Sequence, residues 1–229
     1  MPSEPESEPM PYDLSDPQDR ERAWKDYLWK DHGILRQRFH NMHEVGGGMW
    51  RANQPSPQRL EELAGRGFRT ILNIRGTQPG VCYYDLEKEA CERLGLVMID
   101  MPFGSREAPY VDRIQRAVRI FDEIEYPALI HCKSGADRAG LISVLFCLTR
   151  LGLPYDEAIR HLSLKYLHVK AGKTGVLDYF FETYRAYTES NPIGFMDWIE
   201  NVYDRNRVQS GFMSSWWGNV LTERVLRRE

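Results

Sequence analysis

Between Met49 and Leu151, short apolar runs alternate with stretches whose apolar residues recur every three or four positions. These are the periods of strands and of amphipathic helices. MWRA (49–52) predicts a strand at a sheet edge, and TILNI (70–74), LVMIDM (96–101) and ALIH (128–131) predict three more. Between them, SPQRLEELAGRG predicts a helix that starts at a Ser cap with Pro in its first turn. YYDLEKEACERLG predicts one ending at Gly95, and YVDRIQRAVRIFDEI one with Val111, Ile114, Val118 and Phe121 on a single face. LISVLFCLTRLG, from Leu141, is apolar almost all round, the mark of a helix buried at the centre of a domain. The alternation predicts an α/β fold with a central, mostly parallel sheet flanked by helices. GGG at 46–48 lacks the Lys-Ser/Thr of a nucleotide loop and predicts a turn.

The flanks read differently. Residues 1–19 are rich in Pro, Ser, Glu and Asp and predict a disordered acidic tail. In 20–44, Trp24, Leu28, Leu35 and Phe39 recur at helical spacing around Gly33, which predicts one helix or a kinked pair as an N-terminal extension. The main domain is expected over 45–190, including amphipathic helices in YDEAIRHLSLKY and GVLDYFFETYRAYT. A C-terminal helical extension follows over 191–229, with FMDWIENVY its clearest helix and Trp216 and Trp217 expected to pack against the core.

Composition narrows the functional classes. The 229 residues, 42% hydrophobic, suffice for one core with appendages. A net charge of −3 supplies no global field for nucleic acid, so an anionic ligand must be held by a local cluster. The four cysteines form no C-x-x-C pair and suit a reducing compartment. No stretch reaches the roughly 18 apolar residues of a spanning helix, and the first residues lack a signal's apolar region, so a cytoplasmic protein without a transmembrane segment is expected. His161, His168 and the cysteines show no metal-ligand spacing, and neither a metal nor a cofactor is expected. Cys147 reads as a small core hydrophobe, Arg75 as an ion-pair partner, and Lys165, Lys170 and Lys173 as a solvated connection.

The chemistry concentrates in ALIHCKSGADRAGL (128–141), where the last strand runs through a short loop into the buried helix. A helix N-terminus offers unpaired N–H groups and a partial positive charge, which together suit a phosphate. Gly135 permits the positive φ that turns successive amides of Lys133, Ser134, Gly135, Ala136, Asp137 and Arg138 toward one centre, and the Arg138 fork can bind two oxygens. Cys132 lies at the base of this cradle, where the helix terminus, Arg138 and Lys133 favour its thiolate. A thiolate beneath a bound phosphate suits in-line attack on phosphorus.

This H-C-x5-R-x-G stretch resembles the signature of the cysteine-dependent protein tyrosine and dual-specificity phosphatases. RANQPSPQRLEELAGRGFRTILNIRG, LVMIDMPF and ALIHCKSGADRAG together resemble the compact dual-specificity class found in bacteria, over roughly residues 45–190. The resemblance implies Cys132 as nucleophile, Arg138 as the phosphate-binding arginine and His131 as a residue orienting the loop. It also implies a general acid about thirty residues upstream of the cysteine. Three carboxyls compete for that role: Asp100 by spacing, Glu107 by its place in the loop GSREAP, and Asp137 by proximity and by the Asp-Arg pair of phosphoinositide phosphatases. Ala139 stands where the family commonly has a hydroxyl that assists the second step. The resemblance implies a protein tyrosine or dual-specificity phosphatase acting on a phosphorylated protein, with an inositol phosphate, phosphoinositide or lipid A headgroup as the alternative substrate. A phosphate-binding module without turnover is the competing expectation.

Overall fold

Polar side chains, more than apolar periodicity, decide where the N-terminal part of this chain begins its structure. The computed structural model describes residues 12–226, with side chains up to Trp216. The first eleven residues of the expected tail, the Trp217 side chain and residues 227–229 lie outside that range. From Tyr12 onward the chain is ordered, which corrects the expectation of a tail running to residue 19. Asp16 caps helix α1 (Pro17–Trp29) by accepting from the amides of Gln18 and Asp19, and the Tyr12 hydroxyl donates to Asp26 at 2.8 Å. Those polar anchors offset an ordering cost that composition alone leaves uncompensated. Helix α2 (Gly33–Arg38) follows after a break at His32, whose φ is +59°.

Five strands form one sheet: β1 (His43–Gly46), β2 (Met49–Asn53), β3 (Thr70–Asn73), β4 (Val97–Asp100) and β5 (Ala128–Cys132), in the order β1-β2-β5-β3-β4. Only β1 runs antiparallel to its neighbour; β2, β5, β3 and β4 are parallel. The expected edge strand is therefore internal. Its outer neighbour β1, short and polar, returns through a turn in which Gly46, Gly47 and Gly48 all have positive φ. Helices α3 (Pro57–Gly65) and α4 (Cys82–Leu94) cover one face through Leu60, Leu63, Ala90 and Cys91, and α1 lies over α4 through Ala23 and Tyr27. The other face carries α5 (Val111–Glu123) and α6 (Asp137–Thr149), with Leu141 to Cys147 of α6 buried.

Beyond α6 come α7 (Tyr155–Ala158), α8 (Val176–Thr188), α9 (Phe195–Asn201) and α10 (Arg205–Leu226). YDEAIRHLSLKY is not the expected amphipathic helix. After α7 it breaks into two 3-10 turns, Ile159–His161 and Leu164–Tyr166. Its backbone carbonyls are taken by distant side chains: His161 O accepts from Arg51 at 2.6 Å and Tyr166 O from Asn41 at 3.1 Å. Side-chain donors that satisfy carbonyls in this way remove the gain a continuous helix would bring. Trp216 donates from its indole to Ala171 O at 3.3 Å, which joins α10 to the connection before α8.

Candidate functional site

Cys132 ends β5 and is 2% exposed, and α6 begins five residues later at Asp137. The intervening loop bends sharply because Gly135 takes φ +72°; a Cβ there would lie 2.6 Å from Ala52 C and Asn53 N. Only glycine permits this approach of the loop to the end of β2. The amides of Gly135, Asp137 and Arg138 have no acceptor among the described residues, whereas that of Ala136 donates weakly to Ser134 Oγ at 3.4 Å. Arg138 is half-buried and makes no ion pair among the described residues. Free loop amides, a helix terminus and a guanidinium without an ion pair among the described residues thus lie within the six residues after Cys132, a combination suited to an anion.

A second guanidinium holds the loop from beneath. Arg51, on β2, is fully buried and donates to Gly135 O at 2.7 Å, Ala136 O at 2.9 Å and His161 O at 2.6 Å. By drawing these loop carbonyls down, it leaves the amides directed to the opposite side. Its guanidinium lies over the Tyr166 ring at 4.2 Å. Burial pushes Arg51 down to about 10, against the opposing influence of Cys132 and Asp137, so it stays charged at neutral pH. Burial and then Arg51 push His161 down to about 4, leaving its Nδ1, 3.4 Å from Arg51, as an acceptor.

Asp137 leads into a buried chain of charges. Its Oδ1 is 2.7 Å from His168 Nδ1, and His168 Nε2 is 2.7 Å from Asp178 Oδ2 on α8. Both ring nitrogens face carboxylates, which requires a proton on each and makes His168 an imidazolium. Burial opposes that charge, but the hydrogen bonds to Asp137 and Asp178 outweigh it and push His168 up to about 9. Because the folded value lies above the ordinary 6.5, the stabilisation is complete below about pH 6.5 and is lost as pH rises through about 9. Denaturant unfolding should therefore show a fall of roughly 3 kcal/mol between these limits, absent from His168→Gln; equal slopes in the two proteins would contradict the pairing.

The N-terminal extension reaches the loop from the other side. Asp31, buried just after α1, pairs with Lys133 at 3.1 Å, with both Arg75 nitrogens at 3.0 and 3.1 Å, and with Arg36. Burial opposes ionisation of Asp31, but Arg75 and then Arg36 and Lys133 hold its carboxyl below the ordinary range. Arg75 also lies over the Tyr83 ring and donates to Gln54 Oε1 at 3.0 Å; Gln54 in turn donates to Glu87 at 2.6 Å. His131 differs from expectation. Its Nε2 is 2.7 Å from Glu87 Oε1 but off the line a hydrogen bond needs, and Nδ1 has no partner among the described residues, so the ring faces α4 instead of bonding the loop backbone.

The other two candidate acids sit elsewhere. Asp100 ends β4 in register with Asn73 and His131, two strands from β5 and so roughly 10 Å away laterally. It accepts from Asn73, Thr77 and Tyr84 at 2.6 to 2.8 Å. Glu107 pairs with Arg205 of α10 at 2.8 Å and with Arg113 at 3.9 Å, anchoring its loop to the C-terminal helices. Sequence does not single out Arg51, Asp178 or Asp31, and it considers His168 only as a metal ligand. The one available signal was a charged residue, Arg51, inside an otherwise apolar strand pattern. Among the described residues no group of three or more His, Cys, Asp or Glu side chains is arranged to hold a metal ion, and no helix is long and apolar enough to cross a membrane.

The model of a family described as "DSP-PTPase phosphatase fused to NAD+ Kinase" matches residues 37–161, more than half of the chain. Among solved structures, TpbA of P. aeruginosa is similar at 14% identity, covering 63% of this chain and 84% of its own, with a TM-score of 0.52. Tk-PTP in its active form is similar at 21% identity, covering 63% and 98%, with a TM-score of 0.49. No curated protein matches. The TpbA likeness bears on the fold alone, which agrees with the parallel sheet and flanking helices described above.

Proposed function

We propose, from the premise that the chain belongs to the DSP-PTPase phosphatase family, that it hydrolyses phosphomonoesters through a cysteinyl-phosphate on Cys132, with the catalytic unit in residues 45–190. The observation that carries this reading is the set of amides at Gly135, Asp137 and Arg138 without an acceptor among the described residues, together with the Arg138 guanidinium without an ion pair, in the loop that follows Cys132. In the first step Cys132 Sγ bonds to phosphorus, the P–O bond to the substrate alcohol breaks, and the departing oxygen takes a proton. Charge on the equatorial oxygens is met by the loop amides and the Arg138 fork. Water then attacks the phosphorus, its proton passes to the base, and the thiolate leaves with inorganic phosphate as product.

Asp137 is assigned as the group that passes a proton to the departing oxygen in the first step, drawing that proton from the His168 imidazolium it faces, and as the base that takes one from water in the second. It is the carboxyl inside the loop, whereas Asp100 and Glu107 are committed to other partners. His168 holds Asp137 in place through Oδ1. Asp137→Asn is expected to lower kcat on an alkyl phosphate by about 10²- to 10³-fold and much less on a nitrophenyl phosphate, whose leaving group needs no proton. Equal losses on the two substrates, or a loss of the same size in Asp100→Asn or Glu107→Gln, would remove Asp137 from this role.

The substrate is a phosphorylated protein or a small phosphorylated molecule. Multiple turnovers of an aryl phosphate, competitively blocked by vanadate, test the reading as a whole. Tight phosphate binding with no turnover would instead identify a binding module, the outcome to which the missing hydroxyl at Ala139 points.

A further inference from the structure

Seven of the ten exposed large hydrophobic side chains among the described residues lie in two short segments: Trp29, Ile34, Leu35 and Phe39, and Leu164, Leu167 and Val169. Leu35 and Leu164, at 70% and 74%, are the most exposed. Both segments adjoin the phosphate loop. The first holds Lys133 through Asp31 and the carbonyl of Ser134 through Asn41, at 3.1 Å each. The second holds Asp137 through His168 at 2.7 Å, and the two meet where Asn41 donates to Tyr166 O. The exposed apolar residues therefore belong to two rim segments, one bonded to each end of the phosphate loop.

The charge of these rims opposes that of the whole chain. Residues 29–41 and 163–174 contain Lys30, Arg38, Lys165, Lys170 and Lys173, besides Arg36 and the single acid Asp31, which are buried and paired with each other, in a protein of net charge −3. Acids outside the rims answer some of this: Lys30 pairs with Asp26 and Lys170 with Glu182. Arg38, Lys165 and Lys173 have no acidic partner among the described residues, although Lys165 and Lys173 lie over the Tyr166 and Trp216 rings. Apolar and basic residues alternate closely, as in Leu164-Lys165 and Arg38-Phe39. A docked protein needs a continuous patch of about 800 Å² on each partner. Apolar tips on separate turns, interleaved with lysine and arginine, instead match insertion into a lipid surface, with tips at the acyl boundary and cations among the headgroups.

We infer that the face around the phosphate loop docks on anionic lipid bilayers, and that the substrate is a phosphate monoester carried on a lipid headgroup. The substrate half rests on the phosphatase reading above; the docking half does not. Seated on both rims, the loop would open toward the headgroup layer, so a phosphate displayed there reaches Cys132 without leaving the membrane.

Co-sedimentation of the full chain with vesicles of phosphatidylcholine, with and without phosphatidylglycerol, tests the docking. Phosphate release from such vesicles carrying a phosphatidylinositol monophosphate tests the substrate; no release by an enzyme that turns over soluble aryl phosphate would overturn that half. Binding to the anionic vesicles is expected to exceed binding to neutral ones by on the order of tenfold or more and to weaken with salt. Leu35→Ser/Leu164→Ser should lower it at least about tenfold, and Lys165→Gln roughly fivefold, with soluble aryl phosphate turnover unchanged. Cys132→Ser should bind vesicles like wild type, so a failure of catalysis leaves the docking result readable. Equal or absent binding to the two vesicle types, or full binding by the double variant, would overturn the docking. If the double variant instead lost activity on a soluble phosphotyrosyl peptide, the rims would be reading protein and the inference would fail.

Discussion

Serine in place of Cys132 is expected to reduce turnover of an aryl phosphate by about four orders of magnitude or more, with the fold and the anion site intact. The hydroxyl occupies nearly the same volume at this 2% exposed position, so packing at the end of β5 is retained. What is lost is a sulfur nucleophile, which is intrinsically more nucleophilic than a serine hydroxyl and a better leaving group in the second step. The loop amides and Arg138 do not depend on the sulfur, so inorganic phosphate or vanadate should still bind. Steady-state kinetics, a titration with vanadate and a thermal melt of the same preparation separate these effects. Residual turnover above about one per cent of wild type would point to another nucleophile.

Arg51→Met carries the second large effect, on stability as well as activity. A buried carbonyl that loses its donor costs about 1–3 kcal/mol; this change strands the carbonyls of Gly135 and His161 and leaves Ala136 O with the Gly140 amide alone. A loss of about 4–5 kcal/mol is therefore expected in denaturant unfolding, a size that single substitutions rarely reach. Once the loop carbonyls are free to rotate, the amides above them lose their common direction, and phosphate affinity should fall with stability. Lysine at this position restores the charge but not the fork that serves three carbonyls, so Arg51→Lys should recover only part of either. Stability within about 1 kcal/mol of wild type for Arg51→Met would show that the loop is held by something else.

The division between what could be read from sequence and what could not follows the range of the interactions. Cys132, Gly135, Asp137 and Arg138 lie within seven consecutive residues, and the strand before them and the buried helix after them carry strong periodicities, so the geometry of the loop was largely legible. Arg51, His168, Asp178 and Asp31 come from separate elements, and nothing in the local pattern of a histidine announces two carboxylates on either side of it. The place of β2 inside the sheet was hidden for a similar reason: β1, the strand that covers it, is too short and polar to register as periodic. Residues 155–166 have a helical pattern, but Arg51 and Asn41 take their carbonyls, and tertiary hydrogen bonds outrank local propensity there. In the opposite direction, Tyr12 to Asp19 look like part of a disordered tail until the Asp16 cap and the Tyr12–Asp26 bond are seen.

The account turns on a covalent bond between Cys132 and phosphorus, and rapid denaturing quench of a single turnover, followed by mass spectrometry of the peptide spanning 128–141, observes it directly. Wild type should carry one phosphoryl group on Cys132 at early times, and Asp137→Asn should accumulate more of it because its second step lacks a base. Cys132→Ser should carry none. Turnover that proceeds at full rate with no phosphoryl group on Cys132 at any time, or with the group on another residue, would contradict the mechanism.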